Sequence, residues 1–156
     1  MRTRFAVLIV AVLAVAIGLA AAADPLIGGW KLNAAKSKFS PPPAPRDITI
    51  KYEAFGASGI KVTAEITDTQ GKKTVTAYSG NFDGKEVSVT GSADADAGSM
   101  KRIDANTTEI ANKKGGKATT TLTRSVSKDG KTLTITAKGT DGQGRATNSV
   151  EVFDRQ

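Results

Sequence analysis

The alternation Thr120-x-Leu122-x-Arg124-x-Val126 places one arginine on the same side of an extended segment as apolar residues. Side chains two apart share a face of a strand, so Arg124 points into whatever core this segment borders. A buried guanidinium needs a charge or an acceptor, because an unpaired buried ion is very costly. Two readings follow. Either Arg124 anchors an anionic or carbonyl-bearing ligand, or it serves the fold alone, by pairing with an internal carboxylate or by closing the barrel floor. Arg102 shares the parity of Met100 and is a second candidate of the same kind, although its neighbour Ile103 argues for the opposite facing. Tyr52, Tyr78 and Leu122 complete the candidate ligand contacts.

Other chemistries fail by residue type. The chain has no histidine and no cysteine, which removes Ser–His and Cys–His nucleophiles and imidazole or thiolate metal sites. Carboxylates remain, but no motif fixes a catalytic pair. Asp94 and Asp96 resemble the start of a calcium loop, yet the fifth and twelfth positions fall on Gly98 and Ala105, which carry no side-chain oxygen. The expectation is a non-enzymatic protein with no catalytic residue, no metal and no cofactor. Lys72-Lys73, Lys101-Arg102 and Lys113-Lys114 are basic pairs without interleaved aromatic rings. They read as solvated faces, not as a nucleic-acid platform.

The elements that must position these residues are strands. Gln70-Gly71-Lys72, Asp83-Gly84-Lys85, Gly115-Gly116-Lys117, Asp129-Gly130-Lys131 and Asp141-Gly142-Gln143-Gly144 recur at hairpin spacing. Gly and Asp suit the tight turns of an antiparallel meander. Between them, apolar and polar residues alternate: Ile48, Ile50 and Tyr52 against Thr49, Lys51 and Glu53, and Leu133, Ile135 and Ala137 against Thr132, Thr134 and Thr136. The pattern predicts ten strands, at 28–33, 46–54, 59–67, 73–80, 85–91, 99–104, 107–113, 117–127, 131–139 and 145–153. One turn of helix fits Ala34 to Lys38. Ser40 to Pro45 cannot be regular structure, because its prolines remove donors and fix φ. Periodicity alone leaves a sandwich and a closed barrel open. A membrane-spanning barrel fits badly, since one face of most strands is Thr, Lys and Glu and aromatic girdles are lacking.

The first residues read as a targeting segment. Arg2 and Arg4 precede an apolar run from Phe5 to Ile17, and Ala21-Ala22-Ala23 ends it with a small-residue cleavage site before Asp24. The rival is a membrane anchor, which the alanines and the following Asp24-Pro25 disfavour. The organisation expected is a signal peptide over 1–23 and one domain over 24–156. Removing 23 residues from 156 leaves 133, and removing two arginines from 22 basic residues leaves 20 against 15 acids, a net charge of +5. A domain of that length buries roughly two-thirds of its unfolded surface and needs no covalent staple. The expected location is periplasmic or secreted, with no stable membrane insertion after cleavage.

Gly28-Gly29-Trp30-Lys31-Leu32, at the start of such a domain, resembles the G-x-W opening of the calycins, the lipocalin and fatty-acid-binding-protein superfamily. Lys114-Gly115-Gly116-Lys117-Ala118-Thr119-Thr120 and the ending Val152-Phe153-Asp154-Arg155 resemble the last strands of the ten-stranded fatty-acid-binding proteins. The resemblance spans Gly28 to Arg155 and implies an all-β, calycin-like, antiparallel up-and-down barrel of about ten strands (8–10). It implies further that Trp30 plugs the closed end with Arg155 over its face, and that Arg124 lies near where related binders place an inward arginine. Two departures stand out. The stretch from Ala34 to Pro45 is too short and proline-rich for the family's helical lid. Glu151-Val152-Phe153 occupies the place of the Arg-x-Tyr pair that holds a fatty-acid carboxylate. The function expected is reversible binding of a small apolar or amphiphilic molecule by a monomer. The alternative is a structural or interaction protein of the cell envelope whose barrel is filled by its own side chains.

Overall fold

The structure, a computed structural model, describes residues 23–156; the expected targeting segment lies outside them except for Ala23. Ten strands follow in chain order: β1 Gly28–Leu32, β2 Asp47–Phe55, β3 Gly59–Thr67, β4 Lys73–Asn81, β5 Asp83–Ser88, β6 Ala97–Arg102, β7 Thr107–Lys114, β8 Lys117–Val126, β9 Thr132–Thr140 and β10 Ala146–Arg155. Chain neighbours pair antiparallel except β4 and β5, and β1 also pairs with β10, giving the order β4-β3-β2-β1-β10-β9-β8-β7-β6-β5. The two outer strands meet through Ala77 and Thr90, which exchange backbone hydrogen bonds of 2.9 and 3.0 Å. The result is an all-β, nearly closed up-and-down barrel. Of the two architectures that periodicity leaves open, the barrel is the one adopted.

Among the described residues helix is confined to one 3-10 turn, Ala34–Lys36, capped by the Asn33 side chain, which accepts from the Lys36 N–H. Among the described residues no helix is long and apolar enough to cross a membrane. The proline stretch runs as an irregular strap: Lys38 and Val150 exchange backbone hydrogen bonds, and the Ser149 hydroxyl accepts from the Ser40 N–H. The expected strands at 85–91 and 99–104 begin two residues earlier in the structure, as Asp83–Ser88 and Ala97–Arg102. The reason is local. The Asp104 carboxylate accepts from the Asn106 N–H, which draws residues 103–106 into a turn and ends β6 at Arg102.

One end of the barrel is packed solid. Leu26, Trp30, Val126, Leu133 and Phe153 are all buried there. Trp30 lies directly opposite Arg155 across the β1–β10 pair, and the guanidinium carbon stands 4.2 Å from the indole centroid. That guanidinium also donates to the carbonyls of Pro25, Ile27 and Gly130. The indole Nε1–H donates to the Leu26 carbonyl at 2.9 Å. Every polar group of the two side chains is thus used, as burial demands. The geometry also explains the first glycine of the G-x-W sequence. Gly28 has φ of +130°, and a Cβ there would stand 2.7 Å from Arg155 Nη1. A side chain at position 28 would displace the arginine from the ring.

Gly91 does similar work at the closing seam. Its φ is +72°, and a Cβ would fall 1.8 Å from the Val75 carbonyl oxygen. Only glycine lets the chain pass this close to β4.

Trp30→Ala is expected to lower the unfolding free energy by about 3–5 kcal/mol, the range for removing a large buried aromatic side chain. Urea unfolding of the variant with a midpoint near that of the parent would show that the closed end does not depend on the indole.

Candidate functional site in the barrel lumen

Above the packed end the lumen is open, with a cavity of about 340 Å³. Its walls come from the inward-facing residues of β2, β3, β4, β7, β8, β9 and β10. Most are the apolar members of the alternating patterns, among them Ile50, Val62, Ile110, Leu122 and Ile135. The mouth is polar: Ser40 and Pro41 from the strap, Ser92 and Asp94 from the loop before β6, and Asp141 and Arg145 from the loop before β10. Asp94 ties two of these loops together, its carboxylate accepting from the Gly142 N–H at 2.7 Å.

Arg124 is 1% exposed and lies on this cavity. Its guanidinium reaches across the lumen and Nη2 donates to the Tyr78 hydroxyl. The ring centroids of Tyr78 and Tyr52 stand 5.7 and 5.9 Å from the guanidinium carbon, within the range of a cation–π contact. The other two nitrogens, Nε and Nη1, find no acceptor. Among the described residues no carboxylate pairs with Arg124. Burial raises the hydroxyl pKa of both tyrosines, the neighbouring cation opposing it only in part, so both stay neutral. The centre of the lumen therefore holds a cation solvated by aromatic faces and one phenol. Of the two forms that a purely structural role for Arg124 could take, pairing with an internal acid is not what the geometry shows.

The other sequence candidates are placed as follows. Tyr52 and Tyr78 join Arg124, and Leu122 lines the wall two residues from it. Arg102 does not join them. It shares an inward-facing row with Thr108, Arg124, Ile135 and Glu151 across β6–β10, so its parity is inward. However, it is the last residue of β6, at the packed end. Its side chain folds outward over the Phe82 ring, 4.3 Å from the centroid, and pairs with Asp24. Arg102 therefore lies apart from the lumen group: strand parity gives facing, whereas distance from the strand end decides depth.

Glu151 is the cavity residue that motif reasoning leaves out of the site. It lies in the lumen wall, in the same row as Arg124 with Ile135 between them. No ion pair among the described residues includes it. Desolvation pushes its carboxyl pKa up to about 7. Its signal in the sequence is weak, because Val150 and Val152 on either side invite the opposite choice of buried face. Ser149 and Phe153, both buried, share its parity.

No protein-family model matches the sequence, and no curated protein does. Among solved structures the chain is similar to a redesigned β-barrel, with a TM-score of 0.53 and 10% identity over 85% of this chain and 92% of the other. That likeness concerns the fold alone.

Two outcomes follow from the site's electrostatics. Arg124→Met should fold with a melting temperature at or above the parent's, because Met keeps the apolar stem and removes a desolvated charge that no acid pairs. A drop of many degrees in a thermal melt would show that the phenol and ring contacts more than offset desolvation. For Glu151, the folded pKa of about 7 lies above the ordinary 4.5. The folded chain therefore holds a proton that the unfolded chain releases. The stability from that neutral carboxyl is complete below about pH 4.5, declines as pH rises and is gone above about pH 7. Glu151→Gln should thus gain on the parent between pH 5 and 8 in paired urea titrations. A constant difference across that range would mean an ordinary, hydrated carboxylate.

Proposed function

We propose that this protein is an exported, non-enzymatic, monomeric binding barrel of calycin type that takes a small amphiphile into its lumen. Export rests on the charged, apolar and small-residue order of the first 23 residues, with cleavage before Asp24 and residence in the periplasm or outside the cell. The calycin assignment is supported by the Gly28-Gly29-Trp30 opening, by Arg155 over the indole and by the ten-strand meander.

The observation that carries the reading is Arg124: a buried guanidinium with two donors unused, beside 340 Å³ of largely apolar lumen. A barrel filled for structural reasons has no need of either feature. Each unmet buried donor costs about 1–3 kcal/mol, which a ligand acceptor would recover. The apolar walls would contribute roughly 25 cal/mol for each Å² of ligand surface withdrawn from water. The ligand class is accordingly an alkyl or isoprenoid body with an acidic or carbonyl head. Arg124 would orient the head, Tyr52 and Tyr78 would hold the guanidinium in place, and Leu122 would pack against the body.

Titration calorimetry with straight-chain carboxylates tests this. Dodecanoate should bind, and Arg124→Met should weaken it about 10- to 150-fold, the equivalent of 1.5–3 kcal/mol for a charge-assisted hydrogen bond. Equal affinity in parent and variant would remove Arg124 from the site, and no heat with any chain length would end the lumen reading. A permanently anionic alkylsulfonate adds a pH arm. The ionisable groups that share the cavity with Glu151 are Arg124, the neutral Tyr52 and Tyr78 and, at the mouth, Asp94, Asp141 and Arg145, and burial brings the Glu151 carboxyl to a pKa of about 7. An ionised Glu151 repels the bound anion, and a protonated one does not. Affinity should therefore rise as pH falls from about 8 to about 6, and Glu151→Gln should flatten that slope.

A further inference from the structure

Arg124 cannot be the whole of the lumen's polar recognition. Glu151 faces the same cavity from β10, two strands away, a lateral spacing of roughly 10 Å between backbones. The Arg124 side chain crosses the lumen toward Tyr78, and no ion pair joins the two charges. Two polar groups of opposite type thus lie on one apolar cavity, each without a protein partner of opposite charge. A carboxyl in such a place is unfavourable for the fold, since an alanine or valine on the same parity would bury more apolar surface at no desolvation cost. A desolvated carboxyl lying on a cavity with no charge partner is a candidate functional group.

We infer that Glu151 is a second ligand contact, so that the lumen selects an amphiphile carrying a hydroxyl along its body as well as the acceptor held by Arg124. This rests on the reading of the lumen as a ligand site. The choice of a hydroxyl follows from chemistry. A hydroxyl donates to the ionised carboxylate and can both donate to and accept from the neutral acid, so it fits Glu151 in either state. An amine would require the carboxyl ionised, and a second carboxylate would require it protonated. A plain alkyl chain would leave the carboxyl desolvated and unpaired, which is the situation that discriminates most strongly against the analogue lacking the group. The spacing of the two residues places the hydroxyl away from the head group, part-way along the chain.

The test compares dodecanoate with three hydroxydodecanoates, carrying the hydroxyl beside the carboxylate, at mid-chain or at the far end, by calorimetry on the parent, Glu151→Gln and Glu151→Met. The mid-chain isomer should bind the parent at least tenfold more tightly than dodecanoate. Glu151→Gln, which can still accept from a hydroxyl, should keep part of that advantage, and Glu151→Met should abolish it. The inference is overturned if no isomer exceeds dodecanoate on the parent, or if the advantage survives in Glu151→Met. In both cases dodecanoate binding still stands, so the lumen reading outlives the inference. Absence of binding by all four acids would overturn both.

Discussion

The barrel depends on one cation placed over one ring. Arg155 stands at the far end of the chain from Trp30, yet the two face each other across the pair that joins the first strand to the last. Its guanidinium serves four partners at once: the indole face and the carbonyls of Pro25, Ile27 and Gly130. Those carbonyls belong to the segment entering β1 and to the turn between β8 and β9. A single side chain therefore ties the entry segment, the closing strand pair and a hairpin turn to the plug. Arginine suits this role because its planar fork can donate in several directions while its face stacks on an aromatic ring. The constraint passes back to the sequence through Gly28, where any Cβ would occupy the arginine's place.

A sealed end makes the electrostatics of the lumen severe. Water is excluded from below by Leu26, Phe153, Leu133 and Val126, so charges above it interact through a medium far less polarisable than water. In that setting Tyr52 and Tyr78 keep their protons, Glu151 holds its proton to near neutrality, and Arg124 draws on ring faces and a phenol in place of solvent. The plug and the site are thus linked by dielectric more than by direct contact. The four polar side chains keep their unusual states only while the floor stays dry.

Much of this could be read from the chain and part could not. Most strands are legible because turn residues and period-2 alternation agree at the hairpins around Gly71, Gly116, Gly130 and Gly142, whereas Asp83-Gly84-Lys85 falls inside β5, at a register shift, and marks no hairpin. Trp30 with Arg155 is legible because the two ends of the domain carry recognisable residues. Arg124 is legible because a cation on an apolar parity has few explanations. Arg102 shows the limit of the same rule: its parity matches Arg124, but a turn held by Asp104 places it at the end of its strand, where a long side chain escapes to solvent. Glu151 shows the opposite failure. Flanking valines suggest that β10 buries Val150 and Val152, whereas pairing to β9 puts Ser149, Glu151 and Phe153 inside. The registers of β9 and β1 decide that facing, and a single strand read alone does not contain them.

The inverted pattern of β10 shows how the barrel divides its labour. Phe153, deep in the strand, belongs to the packed end and is fully buried, while Ser149 and Glu151, nearer the mouth, are polar on the same face. β8 repeats the arrangement with Val126 at the packed end, Arg124 above it and Thr120 nearer the mouth. Each of these strands thus carries an inward polar group directly above its packed-end residue, and on β8 the apolar Leu122 follows between Arg124 and Thr120. Below that level side chains interdigitate and supply stability; above it the wall mixes apolar surface with isolated polar groups. Had stability been the sole constraint, apolar residues at 124 and 151 would have extended the packed core upward through both strands. Arg124 and Glu151 interrupt it in one row on two strands, and both line the cavity.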